Sequence, residues 1–223
     1  MAVNARSNFD RLARIYRGLE YLAFGRDLER ARFCFLEKLR DRRSILVLGE
    51  GDGRCLERLA PIAAAAQIDC LDFSPAMLAR AAARLPAEAR SRVAFRRADV
   101  LTADFPPARY DAVVTLFFLD CFTPEQTAGI IRRVGASLQP GAQWLWADFS
   151  LPSRGFARWR ARIWLAVMYA FFRWTTGLSA RVLPPAEELI LAAGARREAE
   201  QIFQEGFVRS AVFSHPGSGM RSS

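Results

Sequence analysis

Three glycines at alternate positions, Gly49, Gly51 and Gly53, stand directly after a short apolar run, Ser44-Ile-Leu-Val-Leu48. Glycine at this spacing lets a chain turn sharply and lets a ligand approach backbone N–H groups at the start of a helix. The spacing is not the dinucleotide fingerprint GxGxxG, because Arg54 stands where the third glycine would be. Two carboxylates follow. Asp72 lies 19 residues past Gly53, at the end of a second apolar run, and a carboxylate there accepts two hydrogen bonds from a ribose diol. Asp99, with Val100 beside it, follows a third run, where its carboxylate can accept from an adenine amino group. Taken singly, Asp72 and Asp99 also suit a helix cap. Taken in order after the glycines, they describe a crevice for an adenosyl group.

Two more acids, Asp120 and Asp148, come at the ends of a fourth and a fifth apolar run. Open α/β sheets place their ligands at the carboxyl ends of parallel strands. Asp120 is therefore placed to orient or deprotonate a second substrate; equally, it suits an acid at a helix N-terminus. Other chemistries lack their parts. His215 is the only histidine, and Cys34, Cys55, Cys70 and Cys121 form no CxxC pair, so no metal-ligand cluster is expected. Scattered thiols of this kind read as buried side chains in a reducing compartment.

The elements that must position these residues alternate. Residues 5–24 and 26–41 have helical periodicity, with Gly25 between them. Continuous apolar runs at 44–48, 68–71, 93–96, 110–119 and 141–147 suit strands buried on both faces. Helices are expected from Arg54 to Ala66, from Ser74-Pro75 (serine cap, proline in the first turn) and from the capping box Thr123-Pro-Glu-Gln126. Residues 153–178 and 187–193 read as further helices, and 197–204 with 207–214 as an antiparallel strand pair. The pattern predicts a doubly wound α/β fold. It has seven strands, mostly parallel with a C-terminal antiparallel pair, plus N-terminal helices and a helical insert. The division expected is one domain over residues 1–215: a helical cap at 1–43, a core at 44–149, an insert or lid at 150–186, and a disordered tail at 216–223.

The ordered segments ILVLGEGDGR, CLDFSPAML, RRADVLTADFPPARYDAVVTLFFL and LQPGAQWLWADF resemble the motif series of the class I, Rossmann-like S-adenosylmethionine-dependent methyltransferases. The resemblance covers roughly residues 44–149. It implies that Gly49 and Gly51 contact the methionine part of S-adenosyl-L-methionine, with S-adenosylhomocysteine as the product. It implies further that Asp72 holds the ribose, Phe73 and Met77 flank the adenosine, Asp99 and Val100 read the adenine, and Leu116, just after the fourth strand, closes the pocket. One departure stands out. The family's acid two residues before the first glycine is here Val47, while Glu50 lies inside the loop. Glu50 either replaces the missing charge or is a solvated loop carboxylate. The segment FDRLARIYRGLEYLAFGRDLERAR is similar to the entry segment of ubiquinone/menaquinone biosynthesis methyltransferases, which implies Tyr16 near the methionine end. The Arg-Asn pair of that family after the fourth strand is replaced here by FFLDCF.

Charge and hydropathy bear on the second substrate. The net charge is +9, and residues 149–186 hold six arginines and no acid. An anionic partner (lipid headgroups, RNA or an acidic substrate) is one reading. The other is genomic composition, because Lys38 is the only lysine. On a helix over 156–178, Arg158, Arg162, Tyr169 and Arg173 share one face, and Trp159, Ile163, Val167 and Phe171 another. Such a helix suits an anionic membrane surface, a lid over a lipophilic substrate, or ordinary packing on the core or a partner subunit. The longest apolar run, 163–172, is too short to span a bilayer, which needs ~20 residues. The N-terminus shows no apolar leader. A cytoplasmic or peripheral membrane location is the expectation. The function expected is methyl transfer to a small acceptor, a lipophilic one being the reading the helix over 156–178 suits. An RNA methyltransferase and a non-catalytic cofactor-binding protein are the alternatives.

Overall fold

The computed structural model describes residues 26–152, 154–176 and 182–216. Five strands, β1 (Ser44–Leu48), β2 (Gln67–Asp72), β3 (Val93–Arg97), β4 (Tyr110–Leu116) and β5 (Leu138–Phe149), run parallel. The last two, β6 (Arg196–Phe203) and β7 (Val208–Ser214), form the antiparallel pair, with β7 against β5. The sheet order is β3-β2-β1-β4-β5-β7-β6. This is the expected fold class: the strand order reverses beside β1, and a crevice opens between β1 and β4 at their carboxyl ends.

Alternation along the strands divides the core between two faces. Ile45, Val47, Cys70, Val114 and Ala147 point to one side, where α2 (Arg54–Ile62) and α3 (Pro75–Arg84) cover them with Leu56, Leu59 and Ala81. Leu46, Leu48, Val113, Trp144 and Trp146 point to the other. There α4 (Pro124–Ala136) and α6 (Ala186–Ala192) cover them with Ile130, Val134 and Ile190. A third cluster joins α1 (Asp27–Phe33) and α5 (Gly155–Thr176) to the β5–β7 end through Ala31, Phe149, Ala161, Leu165 and Phe207.

Several boundaries differ from expectation. The helix expected over 26–41 ends at Phe33 and gives way to a 3-10 turn, Leu36–Leu39. That turn puts residues three apart on one side, and both Leu36 and Leu39 are buried by it. The helix expected to reach Ala66 ends at Ile62, just after Pro61, which lacks an N–H to continue the ladder. Strand β5 begins at Leu138, and a register shift between Tyr110 and Ala112 accommodates Pro140 and Gly141. The caps are as expected: Ser74 Oγ accepts from Met77 N–H, and Thr123 and Gln126 form both bonds of the capping box. The helix expected over 5–24 and the tail beyond Pro216 lie outside the described residues.

Gly53 begins α2 with φ +93°, and a Cβ there would lie 2.6 Å from the Ala81 Cα of α3. A methyl group would force both a left-handed backbone and the separation of two packed helices. Gly53→Ala is therefore expected to destabilise the protein by about 3 kcal/mol, combining left-handed strain with overpacking. Urea unfolding of the variant beside the wild type measures this; a midpoint shift near zero would show that the α2–α3 contact is not tight.

Candidate functional site

The carboxyl ends of β1, β2, β3 and β4 bring most of the expected residues together. After β1 the chain turns through Gly49, Gly51 and Gly53, all with positive φ. The Gly49 N–H donates to the Leu71 carbonyl at 3.0 Å, which holds the turn against β2. At the end of β2, Asp72 Oδ2 accepts from Gly51 N–H at 3.3 Å and Oδ1 from Ser74 N–H at 2.8 Å. Its carboxylate thus ties the glycine turn to the start of α3. The next residue, Phe73, is an aromatic ring held 68% exposed, and Met77 lies half-buried in the first turn of α3. After β3, Asp99 Oδ1 accepts from Leu101 N–H at 2.9 Å, while Val100 is buried. Leu116 is the last residue of β4 rather than the first beyond it, and it is buried.

Glu50 is not a solvated loop carboxylate. It is 6% exposed, and its Oε1 accepts from the N–H groups of Cys55 and Leu56 at 2.9 and 3.2 Å, in the first turn of α2. Its Oε2 is buried without a hydrogen-bond partner. Burial pushes the Glu50 carboxyl up to about 7, against the pull of the two backbone N–H groups and of Arg32. Glu50 lines a small cavity with Arg32, Val47, Gly49, Val114 and Leu116. The cavity has about 10 Å³ of free volume, room for about one water molecule. The Phe118 ring packs on Gly49 at its edge: a Cβ on Gly49 would come within 2.0 Å of that ring.

Asp120 lies deeper, on the Trp146 side of the sheet. It is 6% exposed, in the 3-10 turn Leu119–Cys121, and makes a hydrogen-bonded pair with Asp148 of β5, which is 1% exposed. The Cys121 thiol donates to Asp120 Oδ1 at 3.5 Å, and Trp146 Nε1–H to Asp148 Oδ2 at 3.2 Å. Two carboxyl groups bond to each other only if one is protonated. Burial raises both, and the charge of Asp120 raises Asp148 further, so Asp148 carries the shared proton. Phe118 and Phe122, next to Asp120 in the chain, meet edge to face at 5.1 Å between centroids, and on the other face of β5 Phe149 meets Phe117 at 5.3 Å and Phe207 at 5.2 Å. Tyr16 lies outside the described residues. Among the described residues no group of three His, Cys, Asp or Glu side chains is placed to hold a metal ion.

Residues 45–141 match the protein family described as a methyltransferase domain. Over 139 residues the chain is 38% identical to a demethylmenaquinone methyltransferase of Thermus thermophilus, covering 60% of each chain. Over 122 residues it is 32% identical to an uncharacterized methyltransferase of Mycobacterium bovis, covering 55% of this chain and 58% of that one. The chain thus spans about 60% of the length of these curated relatives. In fold it is similar to the N-methyltransferase NodS of Bradyrhizobium japonicum, crystallised with S-adenosylhomocysteine. The TM-score is 0.60 at 18% identity, covering 88% of this chain and 91% of that one.

Three parts of this site escaped the sequence reading. Arg133 of α4 donates to the carbonyls of Val100 and Leu101, and so braces the loop after β3 from across the sheet end. Phe118 packs on Gly49. Arg32 of α1 reaches the cavity beside Glu50. The burial of Glu50 carries a consequence for stability. A carboxyl raised to about 7 when folded and near 4.3 when unfolded favours folding while protonated. That contribution is complete below about pH 4 and is lost as pH rises through about 7. Glu50→Gln is therefore expected to remove about 3 kcal/mol of pH dependence between pH 4.5 and 8. Urea unfolding at those two pH values decides it; equal slopes for wild type and variant would show that Glu50 is ionised throughout.

Proposed function

We propose that this protein is an S-adenosylmethionine-dependent methyltransferase acting on a small lipophilic acceptor. One observation carries the choice of cofactor. The N-terminus of the helix after a glycine turn is where dinucleotide phosphates bind. Here the Glu50 carboxylate fills that place, and its second oxygen is buried and without a partner. A pyrophosphate would meet a negative group there, whereas a cation is what the spare oxygen lacks. S-adenosylmethionine is an adenosyl ligand with a cationic head.

In this reading Glu50 receives the ammonium group in place of the acid absent at Val47, and the glycine turn at Gly49 and Gly51 lies along the methionine part. Asp72 accepts from the ribose, the exposed Phe73 ring and Met77 flank the adenosine, Asp99 and Val100 meet the adenine, and Leu116 closes the wall. The Phe118 ring must turn away from Gly49 to admit the head group. When bound, the cofactor supplies a methyl group on an electrophilic sulfonium. Alignment of acceptor, methyl and sulfur provides much of the rate, and a base is needed only where the acceptor must lose a proton. Asp120, ionised and bonded to the protonated Asp148, is that base.

The acceptor class is supported by the Phe118 and Phe122 rings that flank Asp120 in the chain and by the lipophilic quinone in the name of the Thermus relative. Helix α5 supports a peripheral place on an anionic membrane. Trp159, Ile163 and Val167 are exposed at four-residue spacing, with Arg158, Arg160 and Arg162 exposed among them. No helix among the described residues is long and apolar enough to cross a membrane.

The test supplies methyl-labelled S-adenosylmethionine with a long-chain hydroquinone in phosphatidylglycerol vesicles, and RNA in a parallel reaction. Label is expected in the hydroquinone, the protein is expected to sediment with these vesicles and not with phosphatidylcholine, and Asp120→Asn is expected to lower kcat by about 100-fold or more. Label in RNA alone would replace the lipophilic acceptor with a nucleic acid.

A further inference from the structure

Granted an S-adenosyl ligand in the crevice, as proposed above, we infer that Arg32 and Glu50 together clamp the amino-acid head of the cofactor, Arg32 taking its carboxylate and Glu50 its ammonium. Arg32 belongs to α1, well before the glycine turn and outside the segments that resemble known motifs. Among the residues lining the cavity at the end of β1, Arg32 is the only base and Glu50 the only acid. Both line that cavity, one from the helix ahead of the sheet and one from the turn after β1.

The two do not satisfy each other. Arg32 acts on the Glu50 carboxyl through space, yet no ion pair joins Arg32 to any acid among the described residues. Its neighbours differ. Arg30 pairs with Asp27 at 3.5 Å, and Arg58 pairs with Glu29 at 3.4 Å while stacking on Phe33. The Arg32 guanidinium instead stands 5.3 Å from the Phe117 ring centroid, a contact that orients a cation without neutralising it. Phe117 itself is held at φ +54°, a conformation a bulky L residue adopts only under constraint. Its N–H is fixed to the Ala147 carbonyl at 2.7 Å. Strain of this kind gathers where a ligand must be met. A half-buried cation and a buried anion with a spare oxygen, facing one small space without touching, match a zwitterion in both sign and order. They do not match a simple anion or a simple cation.

Three ligands separate the two ends. S-adenosylhomocysteine carries ammonium and carboxylate, its decarboxylated analogue carries ammonium alone, and 5′-methylthioadenosine carries neither. Calorimetric titration of the full chain is expected to show that Arg32→Met weakens S-adenosylhomocysteine by about 10-fold or more, the worth of one charge-assisted hydrogen bond. It should leave the other two ligands within about twofold, a difference too small for a lost charge-assisted bond. Glu50→Gln is expected to weaken both ammonium-bearing ligands and spare methylthioadenosine. Arg32→Lys, which keeps the charge, is expected to restore part of the affinity. Equal weakening of all three ligands by Arg32→Met would overturn the clamp by showing a structural role for Arg32, and unchanged affinity for S-adenosylhomocysteine would overturn it directly. Wild-type protein that binds methylthioadenosine but gains nothing from the amino-acid head would refute the clamp and leave the adenosyl crevice standing. Binding of none of the three would refute the cofactor reading itself, and the clamp with it.

Discussion

Two backbone N–H groups in the first turn of α2, from Cys55 and Leu56, donate to one oxygen of a buried glutamate in the turn before them. Glu50 supplies from within the loop the anion that other proteins of this topology recruit as ligand phosphate. The consequences run outward from that contact. With the helix dipole already answered, the crevice has no use for an anionic ligand. The unpaired second oxygen, enclosed among Val47, Val114 and Leu116, makes burial of a cation favourable. The same turn must bend three times within five residues, so its glycines are set by geometry. At Gly53 the approach of α3 leaves no room for a side chain, and at Gly49 the Phe118 ring does the same.

The rest of the edge is arranged so that each loop is held by a neighbour rather than by itself. Asp72 bonds the glycine turn to the head of α3, the Gly49 N–H is bound to β2, and Arg133 clasps the loop after β3 from α4. Such cross-bracing ties the loops after β1, β2 and β3 into a common frame. The end of the sheet beyond β4 is built differently. Beyond β4 the chain runs through Phe118 and Phe122 and a pair of buried acids, one of which must keep a proton.

Strand and glycine signals were legible because they are local. A run such as Ser44 to Leu48 is apolar on both faces whatever covers it, and Ser74-Pro75 and Thr123 to Gln126 carry their caps within four residues. The order of acids after β2 and β3 was legible for the same reason, since topology fixes where a strand end falls. What was not legible depends on partners far along the chain. The burial of Glu50 follows from the packing of α2 against β1, and charge alone left a solvated carboxylate equally open. Arg32 and Arg133 reach the crevice from helices whose sequence gives no sign of it. The break of the first described helix after Phe33 arises because Leu36 and Leu39 are both drawn into the core, a tertiary demand on a segment whose periodicity suits a longer helix. The apolar stripe of α5 was legible as a stripe. Its exposure at Trp159, Ile163 and Val167, with Ala161 and Leu165 turned inward, was not.

The central claim is that this crevice takes an adenosyl ligand with a cationic amino-acid head and refuses a dinucleotide. Calorimetric titration with S-adenosylhomocysteine, and with NADH as the control, tests it most directly. The account predicts micromolar or tighter binding of S-adenosylhomocysteine and none of NADH. Binding of NADH, or of neither ligand, would contradict it.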